Sequence, residues 1–480
     1  MTTVLILFPI GAAVVLWLLP WLTARAAGGL ALLVALAELA LWVGTALNFD
    51  FGSAGLQFDQ RTVWFADLGV SYEVGLFDFS LWLVGLTALV TVAAVGYGFW
   101  TGRDRSTVYL SLLLFLEGAT IGVFAAQDLL LFYVFWEAML IPLYVLIGVW
   151  GGPGRLGATY KFVAYTMAGS LLMLVSIIAF GLQAGTFDMA ALGTSESTWI
   201  FLGFAAAFAV KAPIWPFHGW LPDAYRESTP EVAAILSGVI SKAAAYGFLR
   251  IALPNFPDPV EDWRVPVLVL ASIGLVYGSL LAFRAPDVRG VIAYSSLAQM
   301  NLIVIGLFAF NDSGLNGALL MMINHGLISA ALFLLAGGIE RRCATGELRL
   351  LGGMARGRPV LATILITTGV IALAVPGSTA FAAEFLVLNG IFDVGWGWAV
   401  VGAVAIVLAA MYILRLISAV LHESPGSAVP QQALDLRPAE IGVIGPLVVV
   451  LLVLSFWPAG ITDRLFGGEP FQTVSTRFED

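Results

Sequence analysis

The sequence predicts an all-α polytopic membrane protein of about 14 transmembrane helices, and three observations predict it. Hydrophobic residues make up 60% of the chain and charged residues 11%, against roughly 45–50% and about 25% in soluble domains. Apolar runs of about 20 residues, the length that crosses a bilayer, recur from end to end. Basic residues gather in alternate loops, as expected of a chain threaded back and forth through a membrane. The same composition excludes other classes. The single cysteine, Cys343, allows no internal disulfide, and no cysteine or histidine cluster has the spacing of an iron–sulfur, haem or zinc site, so no metal is expected in this chain. A net charge of −9 and the lack of a basic stripe or phosphate-cradling glycine motif argue against nucleic acid as a partner.

Taken in order, the expected spans are about 4–22, 27–48, 79–100, 107–127, 128–150, 160–184, 198–221, 231–253, 265–284, 288–310, 313–339, 360–393, 397–420 and 439–460. The first is followed by a signal-like "ARA", but it has no basic n-region and is about as long as a span, so it reads as a helix that stays. The loop 49–78 contains "QRTVWFADLGVSYEVGLFD", which alternates like a small hairpin and reads as a lid on the outer face. Gln127 and Asp128 form a tight turn, with Asp128 capping the next helix. One set of loops carries most of the basic residues; the other carries only Arg61, Arg250, Arg264, Arg464 and Arg477. That bias places both termini outside, and the Ala, Gly and Arg content suggests a bacterial inner membrane. One membrane domain is expected: 1–106 with three helices and the hairpin, 107–254 and 255–421 as two inverted five-helix repeats, and 422–480 with the last helix and tail.

Ionisable residues inside these spans fall at one depth. Glu117, Glu137, Lys211, Lys242 and His325 lie within about 5 Å of the midplane, from their positions along spans four, five, seven, eight and eleven. Glu384 lies in the second half of span twelve. A charge at that depth costs on the order of 2.5–3.5 kcal/mol and faces a partner or a wet cavity. Such groups can also pair merely to hold helices together, but a whole row at one depth points to a use. Lysine usage sharpens the point. Only Lys161, Lys211 and Lys242 are lysines among 22 basic residues, and two of them are in the row. Arginine stays charged, whereas a desolvated lysine gives up its proton and a nearby carboxylate favours its return. Glu137 beside Lys211 therefore reads as a coupled pair, with Lys242 linking it to His325 and Glu384 as the last station.

Pro213 and Pro216 each remove a backbone donor, so span seven should break just after Lys211. Pro376 and Gly377 repeat the device in span twelve, ahead of Glu384. Broken helices are tolerated where they line protein or water, and a pair in corresponding positions points to inverted repeats. His218, near the inner end of span seven, reads as an interfacial hydrogen-bonding residue more than a relay. Glu117, His218 and Gln299 are kept as auxiliary candidates.

Three stretches carry a resemblance: "DLLLFYVFWEAMLIPLYVLIGVWGG" (128–152), "AVKAPIWPFHGWLPDAYRESTPEVAAILSGVISKAAAYGFLR" (209–250) and "INHGLISAALFLLAGGIERR" (323–342). The chain resembles, over nearly its whole length, the antiporter-like membrane subunits of respiratory complex I, nearest to the chain M branch. The resemblance implies a proton-translocating subunit of NADH:quinone oxidoreductase. It implies roles for Glu137, Lys211, Lys242, His325 and Glu384, the last being lysine more often in the sister chains L and N. It also implies that NAD, FMN, iron–sulfur clusters and quinone belong to partner subunits, with no cofactor in this chain, and that chains L and N are its neighbours in the bilayer. Gln299 departs from the pattern, since histidine is common there; Ala383 and Phe79 replace glycines. The alternatives are a subunit of a multisubunit cation/proton antiporter or membrane hydrogenase, which share the lysine–glutamate pair, and a passive scaffold that has lost transport.

Overall fold

The computed structural model describes residues 1–465 apart from 54 and 433. Without water at membrane depth, each backbone N–H and C=O must find its partner within the protein, and the chain is helical almost throughout. The helices are α1 (Thr2–Trp17), α2 (Ala24–Leu47), α3 (Asp78–Thr101), α4 (Ser106–Ala125), α5 (Leu129–Ala138), α6 (Leu140–Trp150), α7 (Arg155–Ala184), α8 (Thr198–Lys211) and α9 (Leu221–Glu227). They continue with α10 (Pro230–Asn255), α11 (Pro257–Arg284), α12 (Val288–Leu307), α13 (Asp312–Cys343), α14 (Pro359–Ala372), α15 (Thr379–Val394), α16 (Trp396–Leu421) and α17 (Pro438–Phe456). With α5 and α6 taken as one, eleven helices among the described residues are long and apolar enough to cross a membrane. Shorter apolar helices, α1, α8 and α14, stand where the sequence places the first, seventh and twelfth spans. The fifth span is bent at Met139, because Pro142 has no N–H to offer the Ala138 carbonyl.

Two helices form the axis. The apolar windows of α10 and α13 are wholly enclosed, whereas those of α2 and α17 are only 28% buried. Glycines let the two axial backbones touch: a Cβ on Gly326 would lie 2.6 Å from the Gly238 carbonyl oxygen, a clash that any larger residue would bring. This approach sets Lys242 of α10 against the neighbouring turn of α13.

The loop after α2 is an antiparallel hairpin, β1 (Gln57–Phe65) and β2 (Val70–Leu76). It is pinned to the turn between α4 and α5, where Gln127 N donates to Glu73 O at 2.8 Å and Ser71 N to Asp128 Oδ2 at 3.0 Å. Asp128 Oδ1 meanwhile accepts from Leu130 N and Leu131 N, capping α5. Arg61 of the hairpin pairs with Asp188 at 3.0 Å. Arg250 differs from its expected place in an outer loop: it is buried within α10 and donates to Gln127 Oε1 at 2.8 Å. Arg477 lies outside the described residues.

The arginine-rich end is riveted by two-pronged pairs between helices. Arg103 binds Glu231 of α10 at 2.8 and 2.9 Å, Arg289 of α12 binds Glu340 of α13 at 2.7 and 2.6 Å, and Arg342 of α13 binds Glu440 of α17 at 2.8 and 2.6 Å. A planar guanidinium facing a carboxylate in this way fixes geometry as well as charge.

Candidate functional site

The centre of the site is made by an irregularity in α10. Its residues Leu236–Ile240 and Phe248–Ala252 are π-helical, and in the first of these turns Ser241 N bonds Leu236 O at 3.2 Å. Such turns insert a residue into the helix and recur at functional sites. Here the Ser237 carbonyl accepts the Lys242 ammonium instead. Lys242 Nζ also lies 2.8 Å from His325 Nδ1 and 3.4 Å from Ser241 Oγ. Lys242 is 0% exposed and His325 4%. With the proton on lysine, Nδ1 accepts; with the proton on the ring, Nδ1 donates to a neutral amine. One geometry therefore serves both states, and His325 Nε2 has no protein partner among the described residues.

Lys211 is the last residue of α8. Beyond it Pro213 and Pro216 offer no N–H, Ile214 N reaches back to Ala209 O at 2.8 Å, and the Trp220 indole donates to Val210 O at 2.9 Å. The break is thus satisfied by one backbone and one side-chain donor, as membrane burial demands. Lys211 Nζ sits 3.7 Å from the centre of the Trp136 ring, a cation–π contact. Glu137, the next residue, is half-buried and close enough for its charge to act on Lys211. No ion pair within 4.0 Å joins them. The indole, which the sequence reading did not single out, holds the ammonium in place of the carboxylate.

Glu384 belongs to a second group. Between α14 and α15 the chain turns through Ala374 (φ +52°), Pro376 and Gly377 (φ +94°). Asn324, next to His325, clamps the start of α15: its Nδ2 donates to Thr379 O and its Oδ1 accepts from Thr379 Oγ1, both at 2.9 Å. Glu384 is 2% exposed. Gln299 Nε2 donates to its Oε1 at 3.4 Å, and its Oε2 has no partner among the described residues. Tyr412 stands close to it and accepts a bond from Ser295 Oγ at 3.1 Å.

The two groups are linked through α12. Ser296, one turn before Gln299, shares a 2.8 Å hydroxyl contact with Ser237, whose carbonyl holds Lys242. His325, Lys242, Ser237, Ser296, Gln299 and Glu384 therefore follow one another across α13, α10, α12 and α15. Ser237, Ser296 and Tyr412 escape a sequence reading because hydroxyls in spans commonly bond their own helix.

Two auxiliary candidates lie apart. Glu117 of α4 is 1% exposed and meets Glu38 of α2, itself 0% exposed; neither carboxylate has a hydrogen-bond partner among the described residues, and Glu38 is close enough to act electrostatically on Glu117. Glu38, at the centre of the expected span 27–48, belongs with the mid-membrane ionisable residues and the sequence reading passed over it. His218 packs edge-on against Tyr277 with ring centres 5.3 Å apart. Among the described residues no cluster of three or more histidines, cysteines or carboxylates is arranged to hold a metal.

The transmembrane family described as NADH:quinone oxidoreductase/Mrp antiporter matches residues 126–409. NADH-quinone oxidoreductase subunit M of Rhodobacter capsulatus is 36% identical over 436 residues, 87% of this chain and 85% of that one. NAD(P)H-quinone oxidoreductase chain 4 1 of Synechococcus elongatus is 36% identical over 470 residues, 95% of this chain and 88% of the relative. A chain of respiratory complex I from Thermus thermophilus with bound NADH superimposes with a TM-score of 0.91 at 30% identity, covering 99% of this chain and 100% of that chain. A chain of the Mrp complex from a Dietzia species shares the fold, with a TM-score of 0.87 at 21% identity over 99% and 98% of the two chains.

Proposed function

The chain belongs to the NADH:quinone oxidoreductase/Mrp antiporter transmembrane family, and on that footing we propose that it is the antiporter-like chain M of a bacterial NADH:quinone oxidoreductase, moving protons from cytoplasm to outside. NADH oxidation, on flavin and iron–sulfur clusters, and quinone reduction belong to partner subunits. This chain converts their energy into proton movement within the inner membrane, with both termini outside. Its two five-helix repeats, 107–254 and 255–421, each contribute one broken helix.

The observation that carries this reading is the buried row from His325 and Lys242 to Glu384: His325 bonds Lys242, Lys242 bonds the Ser237 carbonyl, the Ser237 hydroxyl meets Ser296, and Gln299, one turn on from Ser296, bonds Glu384. Lys211 and Lys242 load from the arginine-rich side, and Glu384 discharges. Glu137 supplies the control: its carboxylate holds the proton on Lys211 when it approaches and releases it when it withdraws. The observed placement, with Lys211 on the Trp136 indole and no ion pair to Glu137, suits the withdrawn arrangement. Glu137 is also half-exposed at membrane depth, where an uncovered charge is costly. A neighbouring antiporter-like subunit, chain L or N, covers it and delivers the electrostatic signal. The likeness to an Mrp complex at 21% identity shows the fold alone, so the antiporter reading stays second.

The test is NADH-driven proton uptake into inverted membrane vesicles, comparing wild type with Lys211→Ala in an assembled complex. Steep loss of uptake and of NADH-linked quinone reduction supports the reading. Unchanged uptake makes Lys211 structural, and absence of the chain from any NADH-oxidising complex shifts the assignment to an antiporter.

A further inference from the structure

A site of a different kind lies on the lipid face, between α2, α3 and α17. An apolar slot of about 690 Å³ runs between these helices, lined by Leu32, Leu36, Leu89, Val443 and Leu447 among others, with Arg25 at one end. Its volume is in the range of about 300–1,000 Å³ typical of small-molecule sites. Trp100 forms part of its wall and also of a second hollow of about 300 Å³, which Arg341, Arg342, Arg437 and Glu440 line. The two hollows meet at Trp100.

The charges at this junction are unbalanced. Glu440 has both oxygens taken by Arg342, so that pair is neutral. Arg25, Arg341 and Arg437 are exposed and have no carboxylate within 4.0 Å among the described residues. Arg341 instead lies over the Trp100 ring, 4.4 Å from its centre. All four side chains stand at helix ends: Arg25 opens α2, Trp100 closes α3, Arg341 is near the end of α13 and Arg437 caps α17. That is the level of lipid headgroups, where tryptophan and arginine concentrate. The walls below them are apolar and the flanking helices α2 and α17 are the least enclosed of the spans.

We propose that the slot and its arginine mouth bind one anionic phospholipid, with its acyl chains along α2, α3 and α17 and its phosphate among Arg25, Arg341 and Arg437. Basic hollows between helices at the arginine-rich face select lipids in this way, whereas a zwitterionic headgroup brings its own cation into the arginine cluster. A free phosphate has no use for the apolar slot, and a helix of a neighbouring subunit would face three uncompensated guanidinium groups.

The intact complex, reconstituted with phosphatidylglycerol or phosphatidylcholine carrying a photoactivatable acyl chain, tests this. After illumination, labelled peptides are mapped by mass spectrometry. Phosphatidylglycerol is expected to label the slot about ten-fold more than phosphatidylcholine, from roughly five-fold per engaged arginine less competition from bulk lipid. Combined Arg25→Gln, Arg341→Gln and Arg437→Gln should abolish the preference. Arg25→Gln alone, which removes no hydrogen bond within the protein, should reduce it about five-fold even if the combined variant does not assemble. Leu36→Trp, which fills the slot, should block labelling by both lipids. Equal labelling by the two lipids, a preference that survives Arg25→Gln unchanged, or no labelling of the slot by either lipid overturns the proposal, the last by showing that protein covers it.

Discussion

Glu384→Gln removes the carboxyl proposed as a proton station while leaving almost every contact in place. Glu384 is 2% exposed, and its one bond to the protein is accepted by Oε1 from Gln299 Nε2 at 3.4 Å. A glutamine keeps the shape and that acceptor, so the change in stability should stay within about 1 kcal/mol. What it loses is titration. A positioned acid or base contributes about 10²–10⁴ to a proton transfer, so uptake should fall at least about ten-fold even with some leakage through water. Glu384→Asp gives the complementary case. It keeps the acid but withdraws it by one carbon–carbon bond, about 1.5 Å, taking the contact with Gln299 beyond hydrogen-bond range. Uptake should then be intermediate. The assay is dye-quench proton uptake in inverted vesicles, with NADH-linked quinone reduction measured alongside and assembly checked on native gels. An assembled Glu384→Gln complex that pumps at the wild-type rate would falsify the role given to Glu384.

Three further outcomes are expected. Arg342 makes five hydrogen bonds, to Leu434 O, Gly338 O, Asp435 O and both oxygens of Glu440, and Arg342→Lys leaves the buried Glu440 without its fork, costing about 3 kcal/mol. A thermal midpoint of the purified complex that does not move would show the pair is dispensable. Asp435, in the segment before α17, accepts from the N–H groups of Val360, Leu361 and Leu436. Burial pushes its carboxyl up, but those three donors and Arg342 outweigh it and hold the group below the usual carboxylate range. Its stabilisation is therefore complete above the unfolded value of about 4 and is lost as pH falls through the lower folded value. The midpoint difference between wild type and Asp435→Asn should be flat from about pH 5 upward and shrink below about pH 4; a gap that widens in acid contradicts this. Finally, Glu38→Gln places an amide donor beside Glu117 and replaces a buried carboxyl that has no hydrogen-bond partner among the described residues, so stability should hold or rise by about 1 kcal/mol. A fall of that size would mean both carboxyl groups are needed.

Much of this molecule is written at the level of span and break. Apolar length locates the helices because the bilayer fixes what length is needed, and Pro213, Pro216, Pro376 and Gly377 mark interruptions because their backbone chemistry is local. The hairpin is visible for the same reason, as alternation within a few residues. What lies beyond that reach is set by contacts between distant segments. The π turn that frees the Ser237 carbonyl has no residue signature in "LSGVI", and the meeting of Gly238 with Gly326 depends on how α10 and α13 cross. Trp136 was in view as part of "FWEAM", but whether Lys211 would rest on the indole or on the carboxylate beside it depends on the bend at Met139. Glu38 is a different case: it lies at the centre of the expected span 27–48 and meets the criterion that singled out Glu117, so its burial was legible in the sequence although its partner was not.

The structure also separates partly covered arginines from fully buried lysines, and the separation bears on whether the central row merely holds helices together. Where this chain ties segments together at its arginine-rich end it uses arginine–carboxylate forks: Arg103 with Glu231, Arg289 with Glu340 and Arg342 with Glu440, each by two hydrogen bonds. A tie of that sort requires a cation that never loses its proton and a carboxylate that never leaves. Lys211 and Lys242 have neither feature. Among the described residues no carboxylate lies within 4.0 Å of either; Lys211 rests on an aromatic face and Lys242 on a carbonyl, a hydroxyl and an imidazole. An uncompensated ammonium in such surroundings is a poor fastener, because removing its charge would relieve the protein of desolvation. The same property suits the carrier role proposed for these lysines, and at Lys211 a shift of the nearby Glu137 carboxylate would favour one protonation state over the other.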